Sequence, residues 1–154
     1  MKIKHGYVFC LLILMTAVSV GCSGKHLKVK SDDSLALKGC TPLPNCVSST
    51  TWILYNKTSD FKLKVSGEKA WPKIKQVVSD MKRTEIKESS DVYIHAQSKS
   101  MVFRFVDNLE LLRHPGTDTV SVRSSSMIAI FDFFVNRMRI HKLRKELRES
   151  DLIE

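Results

Sequence analysis

Apolar residues are distributed in two different ways along this chain. Positions 7–20 form a predominantly apolar run, which follows a short basic segment and is followed by Gly21 and Cys22. From about residue 69 onward, apolar residues recur instead at the spacings that are typical of helices and strands. The pattern therefore predicts a leader segment followed by a folded domain.

In the folded part, the spacing of apolar residues predicts two helices with four strands between them. Apolar residues at helical spacing indicate a short amphipathic helix from about residue 69 to Met81, with Pro72 in its first turn. Alternating residues between turn signals predict strands over 83–88, 92–97, 101–111 and 119–124. A long helix over 133–149 closes the pattern, with Asp132 as its expected N-cap. The predicted fold class is α+β: a four-stranded antiparallel sheet with two helices packed on one face, and an irregular N-terminal segment.

The alternation also predicts which residues share a face of the sheet. A two-residue loop at Lys99-Ser100 would set the register of the central hairpin. The predicted opposite pairs are Ala96 with Phe103, Ile94 with Phe105, and His95 with Arg104. Val120 and Val122 would join the apolar face, and Arg123 would project to the other face with His95. Helical spacing also predicts the inner side of the last helix, formed by Asn136, Ile140, Leu143 and Leu147.

The apolar run near the N-terminus has the length of a secretory leader. A helix that spans a bilayer needs roughly 20 apolar residues, whereas the apolar part of a signal peptide needs about 7–15. We therefore expect residues 1–21 to be a signal peptide. Val18–Cys22 resembles a bacterial lipobox, and this resemblance implies that Cys22 carries lipid and becomes the new N-terminus. Ser19 departs from the usual aliphatic residue, so cleavage by an ordinary signal peptidase is the alternative.

These boundaries predict three segments and a location. A tether over 22–37 would follow the signal peptide, and a single α+β domain would occupy 38–154. The protein would then be anchored by lipid in the bacterial cell envelope and would face the periplasm, on the outer membrane if the cell is Gram-negative. The alternative is a soluble periplasmic or secreted protein.

The cysteine content agrees with export. Cys10 would leave with the signal peptide and Cys22 would carry lipid, so Cys40 and Cys46 remain. Exported domains retain disulfides, and these two residues could close a short loop. A metal-binding pair is the alternative, but the five intervening residues exceed the usual zinc spacing and no neighbouring histidine completes a site. We expect neither a metal nor a cofactor.

The charge balance points to anionic partners outside the cytoplasm. The chain has a formal net charge of +9 at pH 7, which suits anionic lipid or a polyanionic component of the cell wall. No aromatic stacking motif is visible, and export removes the usual nucleic-acid partners, so we do not expect nucleic-acid binding. The alternative is that these charges are spread over a solvated surface.

Several short motifs in one order resemble a known family. They are Cys40–Ser49 (CTPLPNCVSS), Tyr93–Ala96, Phe103–Asp107, Arg123–Ser126, Asp132 and Val135–Arg139. Together they are similar to domain-of-unknown-function family 1499, over roughly 38–148. The resemblance implies a small protein that is exported or lipid-anchored, without an established activity. Four positions depart from the family pattern: Met127 replaces an arginine, Asn108 replaces a second acid, and Ala129 and Phe134 stand near family glycines.

The motifs contain one polar set that could form a site. Its members are His95, Arg104, Asp107, Arg123, Asp132, Asn136, Arg137 and Arg139. In one interpretation they form ion pairs and caps that dock the last helix on the sheet. In the other they bind an anion, because arginine matches planar carboxylates and phosphates.

An envelope hydrolase is the alternative to a non-enzymatic binding or structural role. One serine of Ser124–Ser126 could combine with His95 and an aspartate. No Gly-x-Ser-x-Gly elbow supports such a triad. The sequence therefore favours binding, without naming a catalytic residue.

Overall fold

The computed structural model describes residues 35–100, 105–127 and 134–154, together with the backbone of Leu27–Val29. Several predictions lie outside these described residues. They concern the signal peptide 1–21, the lipid-bearing Cys22, most of the tether, and the positions of Arg104 and Asp132. The prediction that Asp132 is the N-cap of the last helix was wrong, because that helix begins at Val135 and Phe134 occupies its N-cap position.

The protein is α+β, with a sheet of six strands. The strands are β3 (Cys46–Ser48), β4 (Phe61–Lys62), β5 (Thr84–Ser89), β6 (Tyr93–Lys99), β7 (Val106–Arg113) and β8 (Thr119–Ser126). Their order is β3-β8-β7-β6-β5, and β4 pairs with the same edge of β8 as β3, further along it. All pairings are antiparallel. The prediction of four strands was therefore wrong. It omitted β3 and β4 because strands of three and two residues are too short to show an alternating pattern.

Two further strands lie within the segment that the sequence predicts to be a tether. They are β1 (Leu27–Val29) and β2 (Leu35–Leu37), which pair antiparallel in a small separate sheet. Leu37 is buried and packs with Tyr93 and Leu112, which lie on the outer face of the large sheet. Part of the predicted irregular N-terminal segment is therefore ordered against the domain.

The predicted register of the central hairpin was wrong, although the predicted faces were right. Ala96 lies opposite Leu109, Ile94 opposite Leu111 and His95 opposite Glu110. Lys99 pairs with Val106, so the connection is longer than the two residues predicted. The error amounts to six positions along the partner strand. Because six is an even number, the shift leaves Ile94 and Ala96 on the apolar face and His95 on the other face, as predicted.

Two helices cover the inner face of the sheet. Helix α1 (Gly67–Asp80) begins earlier than predicted, so Pro72 lies beyond the first turn. Gly67 suits this start, because a Cβ there would lie 2.8 Å from the side chain of Arg113. Helix α2 (Val135–Glu149) buries the four residues predicted for its inner side, namely Asn136, Ile140, Leu143 and Leu147.

The core lies between the helices and the inner face of the sheet. Ile74 and Val78 of α1 and Leu143 of α2 are fully buried there. From the strands the core includes Ile94, Ala96, Leu109, Leu111, Val120 and Val122. Val120 and Val122 therefore join the apolar face as predicted. Within the described ranges, no helix is both long enough and apolar enough to cross a bilayer.

Candidate functional site

The structure separates the described members of the predicted polar set into three places. Asp107, Asn136 and Arg139 lie between the sheet and α2. His95 and Arg123 lie on the outer face of the sheet, as the register across β6, β7 and β8 requires. The side chain of Arg137 reaches the loop before β4. Arg104 and Asp132 lie outside the described residues.

The first of these places is a buried junction between strand and helix. Arg139 Nη2 lies 2.6 Å from Asp107 Oδ2, and their side chains are only 9% and 3% exposed. Arg139 Nη1 also donates to Ser124 Oγ and to Asn136 Oδ1, each at 2.8 Å. Asn136 Nδ2 donates to the carbonyl of Asn45 and to Ser126 Oγ. This network docks α2 on the sheet, because its polar groups bond one another out of solvent.

The second place is a polar layer on the outer face. The guanidinium of Arg123 pairs with Glu110, whose side chain is fully buried. Tyr93 Oη donates to the same carboxylate at 3.2 Å. Burial, followed by the negative charge of Glu110, raises the pKa of Tyr93 well above its usual range. A hydrogen bond of 2.9 Å joins His95 Nε2 to Asn108 Oδ1.

The third place holds a loop against α2. Arg137 donates to the backbone carbonyls of Tyr55 and Lys57. About two helical turns further along α2, Arg144 donates to the carbonyls of Ser59 and Asp60. Burial lowers the pKa of Arg144 from its ordinary value. These arginines therefore bind backbone of the same chain.

The Cys40–Cys46 disulfide is present in the structure. The loop that it closes is also held by Asn56, whose Nδ2 donates to the carbonyls of Thr41 and Leu43. Closing a ring of this size lowers the entropy of the unfolded chain enough to contribute about 2 kcal/mol. The disulfide therefore orders the segment that leads into β3.

The serines of the hydrolase alternative lie on different faces of the sheet. Ser124 and Ser126 contact Asn136 of α2 on the inner face. His95 lies on the outer face, opposite Glu110, and only Ser125 shares that face. A direct hydrogen bond from His95 to Ser124 or Ser126 would have to pass through the sheet.

A cationic groove was not predicted from the sequence. It has a volume of about 410 Å³ and lies where the end of α1, the β5–β6 edge and the start of α2 meet. Its lining consists of Met81, Lys82, Arg83, Thr84, Ser98, Lys99, Ser100, Val135, Met138, Arg139 and Lys142. These residues come from three separate parts of the chain, so no local sequence motif predicts the groove.

Arg83 occupies a special position in this groove. Its φ of 57° lies in the left-handed region that favours glycine. It is the third residue of the turn Met81–Thr84, which is closed by a hydrogen bond of 3.2 Å from Thr84 N to the Met81 carbonyl. Arg83 Nε donates to the carbonyl of Lys99. The strained turn thus carries a guanidinium to the rim of the groove.

Comparison with known proteins identifies the family of the chain. A family model described as "Protein of unknown function (DUF1499)" matches residues 36–147. The chain belongs to this family, as the sequence resemblance predicts. The match includes the disulfide loop, all six strands of the large sheet and nearly all of α2. No curated protein and no solved structure shows a significant match to the chain.

Proposed function

We propose that this protein is a non-enzymatic binding module of the bacterial cell envelope, held there by lipid on Cys22, and that its cationic groove binds the anionic head group of a lipid. One observation carries this proposal. Five cationic side chains line a recess whose described lining contains no carboxylate. A concave site with a few convergent charges is the usual form of a small-molecule site.

The charges of the groove are not equally engaged. Arg139 is paired with Asp107, and Lys142 Nζ lies 3.6 Å from Glu146. Among the described residues, no salt bridge joins Lys82, Arg83 or Lys99 to a carboxylate. Lys99 is one of the charges that lower the pKa of Glu85, so Lys82 and Arg83 are the cations most available to neutralise a phosphate or carboxylate. Each cation near an anionic membrane surface contributes about 1 kcal/mol to binding.

The apolar part of the lining favours a lipid over a free anion. Met81, Val135 and Met138 contribute carbon surface, and Met138 is 59% exposed. The aliphatic stems of the lysines extend this surface while their charged ends stay in water. A head group with the first carbons of its acyl chains would satisfy both parts of the groove. Free phosphate would satisfy only the charges.

The proposed anchor makes even a weak site effective. Lipid on Cys22 would confine the domain to the membrane surface, so that further binding becomes intramolecular in character. Cleavage before Cys22 would remove Lys2 and Lys4 and leave a net charge of +7, which also favours attraction to an anionic surface. The groove would then select the lipid, and the anchor would raise the effective concentration of that lipid around the groove.

Calorimetric titration tests the proposal. Full-length protein in a non-ionic detergent would be titrated with dihexanoyl phosphatidylglycerol, glycerol phosphate and dihexanoyl phosphatidylcholine. We expect the first lipid to bind most tightly, glycerol phosphate to bind more weakly, and phosphatidylcholine to give no saturable signal. The double variant Lys82→Ala/Lys99→Ala should weaken binding by at least about tenfold. Higher salt should weaken the wild-type interaction as well.

The double variant Lys73→Ala/Lys75→Ala is the matched control. It removes the same charge from exposed positions on α1 that do not line the groove. Its affinity should remain within about twofold of wild type. Equal losses in both double variants would show that net charge alone attracts the lipid. That result, or equal affinity for phosphatidylcholine, would contradict the proposal.

A further inference from the structure

A second and larger groove lies away from the cationic groove. It has a volume of about 930 Å³ and runs between the disulfide loop, the segment before β4 and the turn before β8. Its lining consists of Ala36, Leu37, Gly39, Cys40, Thr41, Thr50, Trp52, Asp60, His114, Thr117, Thr119 and Ser121. We call it the Trp52 groove. Among the residues that the structure describes, it shares none with the lining of the cationic groove.

Trp52 gives this groove an exposed aromatic wall. Its side chain is 84% exposed, although tryptophan is usually well covered in folded proteins. The other tryptophan of the chain, Trp71, is only 6% exposed and donates from Nε1 to the carbonyl of Ser90. An indole left in water beside a concave surface offers a flat apolar face to a ligand.

The rest of the lining supplies hydroxyl groups. Five threonines and serines line the groove, at positions 41, 50, 117, 119 and 121. His114 stands among them, with Nε2 joined to Ser121 Oγ at 2.8 Å. The hydroxyls of Thr50, Thr117 and Ser121 already bond groups of the protein. A hydroxyl with one such bond can still accept another, so the lining suits a ligand that carries many hydroxyls itself.

The charges of the described lining favour an uncharged ligand over an anionic one. The part of the lining that the structure describes contains Asp60 but no lysine or arginine. This is the opposite of the cationic groove, where five cations and no acid occur in the described lining. The ligand of the Trp52 groove should therefore be uncharged where it is bound.

We propose that the Trp52 groove binds an uncharged segment of a polysaccharide. A pyranose ring has apolar C–H faces and a rim of hydroxyl groups. Stacked on Trp52, one face would cover the indole while the rim meets the threonine and serine hydroxyls. A groove of about 930 Å³ has room for more than one sugar ring. This site is additional to the lipid site and does not depend on it.

Fluorescence titration of the full-length protein tests this proposal. The detergent must have no sugar head group, and the probes would be a β-1,4-linked N-acetylglucosamine tetramer, maltotetraose and a charged tetragalacturonate. We expect at least one neutral tetramer to shift the emission of Trp52 saturably, and the charged one to have no effect. Trp71→Phe should retain the shift, because Trp71 is buried. No shift with either neutral tetramer up to about 10 mM would overturn the proposal.

Two single variants distinguish stacking of the sugar on Trp52 from unspecific binding to exposed apolar side chains. Leu54 is also 84% exposed and lies two residues away, but it does not line the groove. Calorimetry should show that Trp52→Ala weakens binding of the neutral tetramer by at least about tenfold, while Leu54→Ala changes it by less than about twofold. Both side chains are exposed, so neither variant should lower the melting temperature measurably. Equal losses in the two variants would overturn the proposal, because they would indicate an unspecific apolar surface.

Discussion

Two ion pairs in the sheet, Glu110–Arg123 and Glu85–Lys87, differ in burial. The Glu110 side chain is fully buried and that of Arg123 is 15% exposed. The side chains of Glu85 and Lys87 are 68% and 39% exposed, although their charged atoms lie 2.6 Å apart. The hydrogen bond to Lys87 lowers the pKa of Glu85, but water screens this pair. Burial, rather than distance, therefore decides which pair the fold depends on.

Removal of the buried cation should be costly. Arg123→Met takes the guanidinium away from the buried Glu110 carboxylate, and we expect the free energy of unfolding to fall by about 3 kcal/mol. The combination Glu110→Gln/Arg123→Met should be more stable than Arg123→Met alone, because the buried negative charge is then removed together with its cation. Urea denaturation at neutral pH measures both. The control Lys87→Met should lose less than about 1 kcal/mol, and an equal loss in the two single variants would refute the argument.

At the scale of elements, two turns place different residues in the left-handed conformation at the same position. His114–Thr117 has Pro115 and Gly116 at its centre, and Gly116 adopts a φ of 78°. Met81–Thr84 has Arg83 in the same third position, at a φ of 57°. Glycine adopts this conformation without steric cost, whereas for a residue with a Cβ it is unfavourable by about 1–2 kcal/mol. The turn after α1 therefore retains strain that the turn before β8 avoids.

Arg83→Gly should separate stability from binding. Glycine relieves the left-handed strain, which offsets its greater freedom in the unfolded chain, so the free energy of unfolding should rise or change by less than about 1 kcal/mol. The same variant removes a cation from the groove and should weaken binding of dihexanoyl phosphatidylglycerol severalfold. Thermal melts and calorimetry measure the two effects. A stable variant with unchanged lipid affinity would exclude Arg83 from the site.

At the scale of the whole molecule, the cationic groove and the Trp52 groove differ in the charge of their described linings, and a lipid anchor is proposed in addition. The cationic groove lies where α1, α2 and the β5–β6 edge meet, and the Trp52 groove lies beside the disulfide loop. A protein that held a lipid at one place and a polysaccharide at another could bridge a membrane and the polymer beside it. This arrangement requires that the chain reach the envelope.

Mass spectrometry of the mature protein tests the anchor. We expect the protein from a membrane fraction to begin at Cys22 and to carry the mass of a diacylglyceryl group, with further acylation at its amine. Cys22→Ser should move the protein out of that fraction. A chain that still begins at Met1, or one that begins at residue 22 without lipid, would contradict the proposed attachment.

The sequence predicted those elements whose periodicity is long enough to read. Helix α2 shows its inner side in four residues at helical spacing, and β6 shows its faces by alternation. The strands β3 and β4 were not predicted, because two or three residues are too few to show a period. Their position is set by pairing with β8. The hairpin register escaped for a related reason, since alternation defines a face but not a partner.

The candidate sites divide in the same way. Strand alternation and helical spacing placed His95 with Arg123, and Asn136 on the inner side of its helix. They could not show that Asp107 and Glu110 would neutralise Arg139 and Arg123. Nor could they reveal the cationic groove, whose lining residues lie up to 61 positions apart between Met81 and Lys142.

By itself, the sequence determined the family, the α+β class, the helix faces and the sheet faces. These properties follow from local patterns, because neighbouring residues alone decide which side of a helix or strand is apolar. The tertiary structure decided the register, the partner of each buried charge and both grooves. Those properties arise only when distant segments pack together, because burial turns a solvated charge into one that must be paired, and brings unrelated side chains to the walls of one cavity.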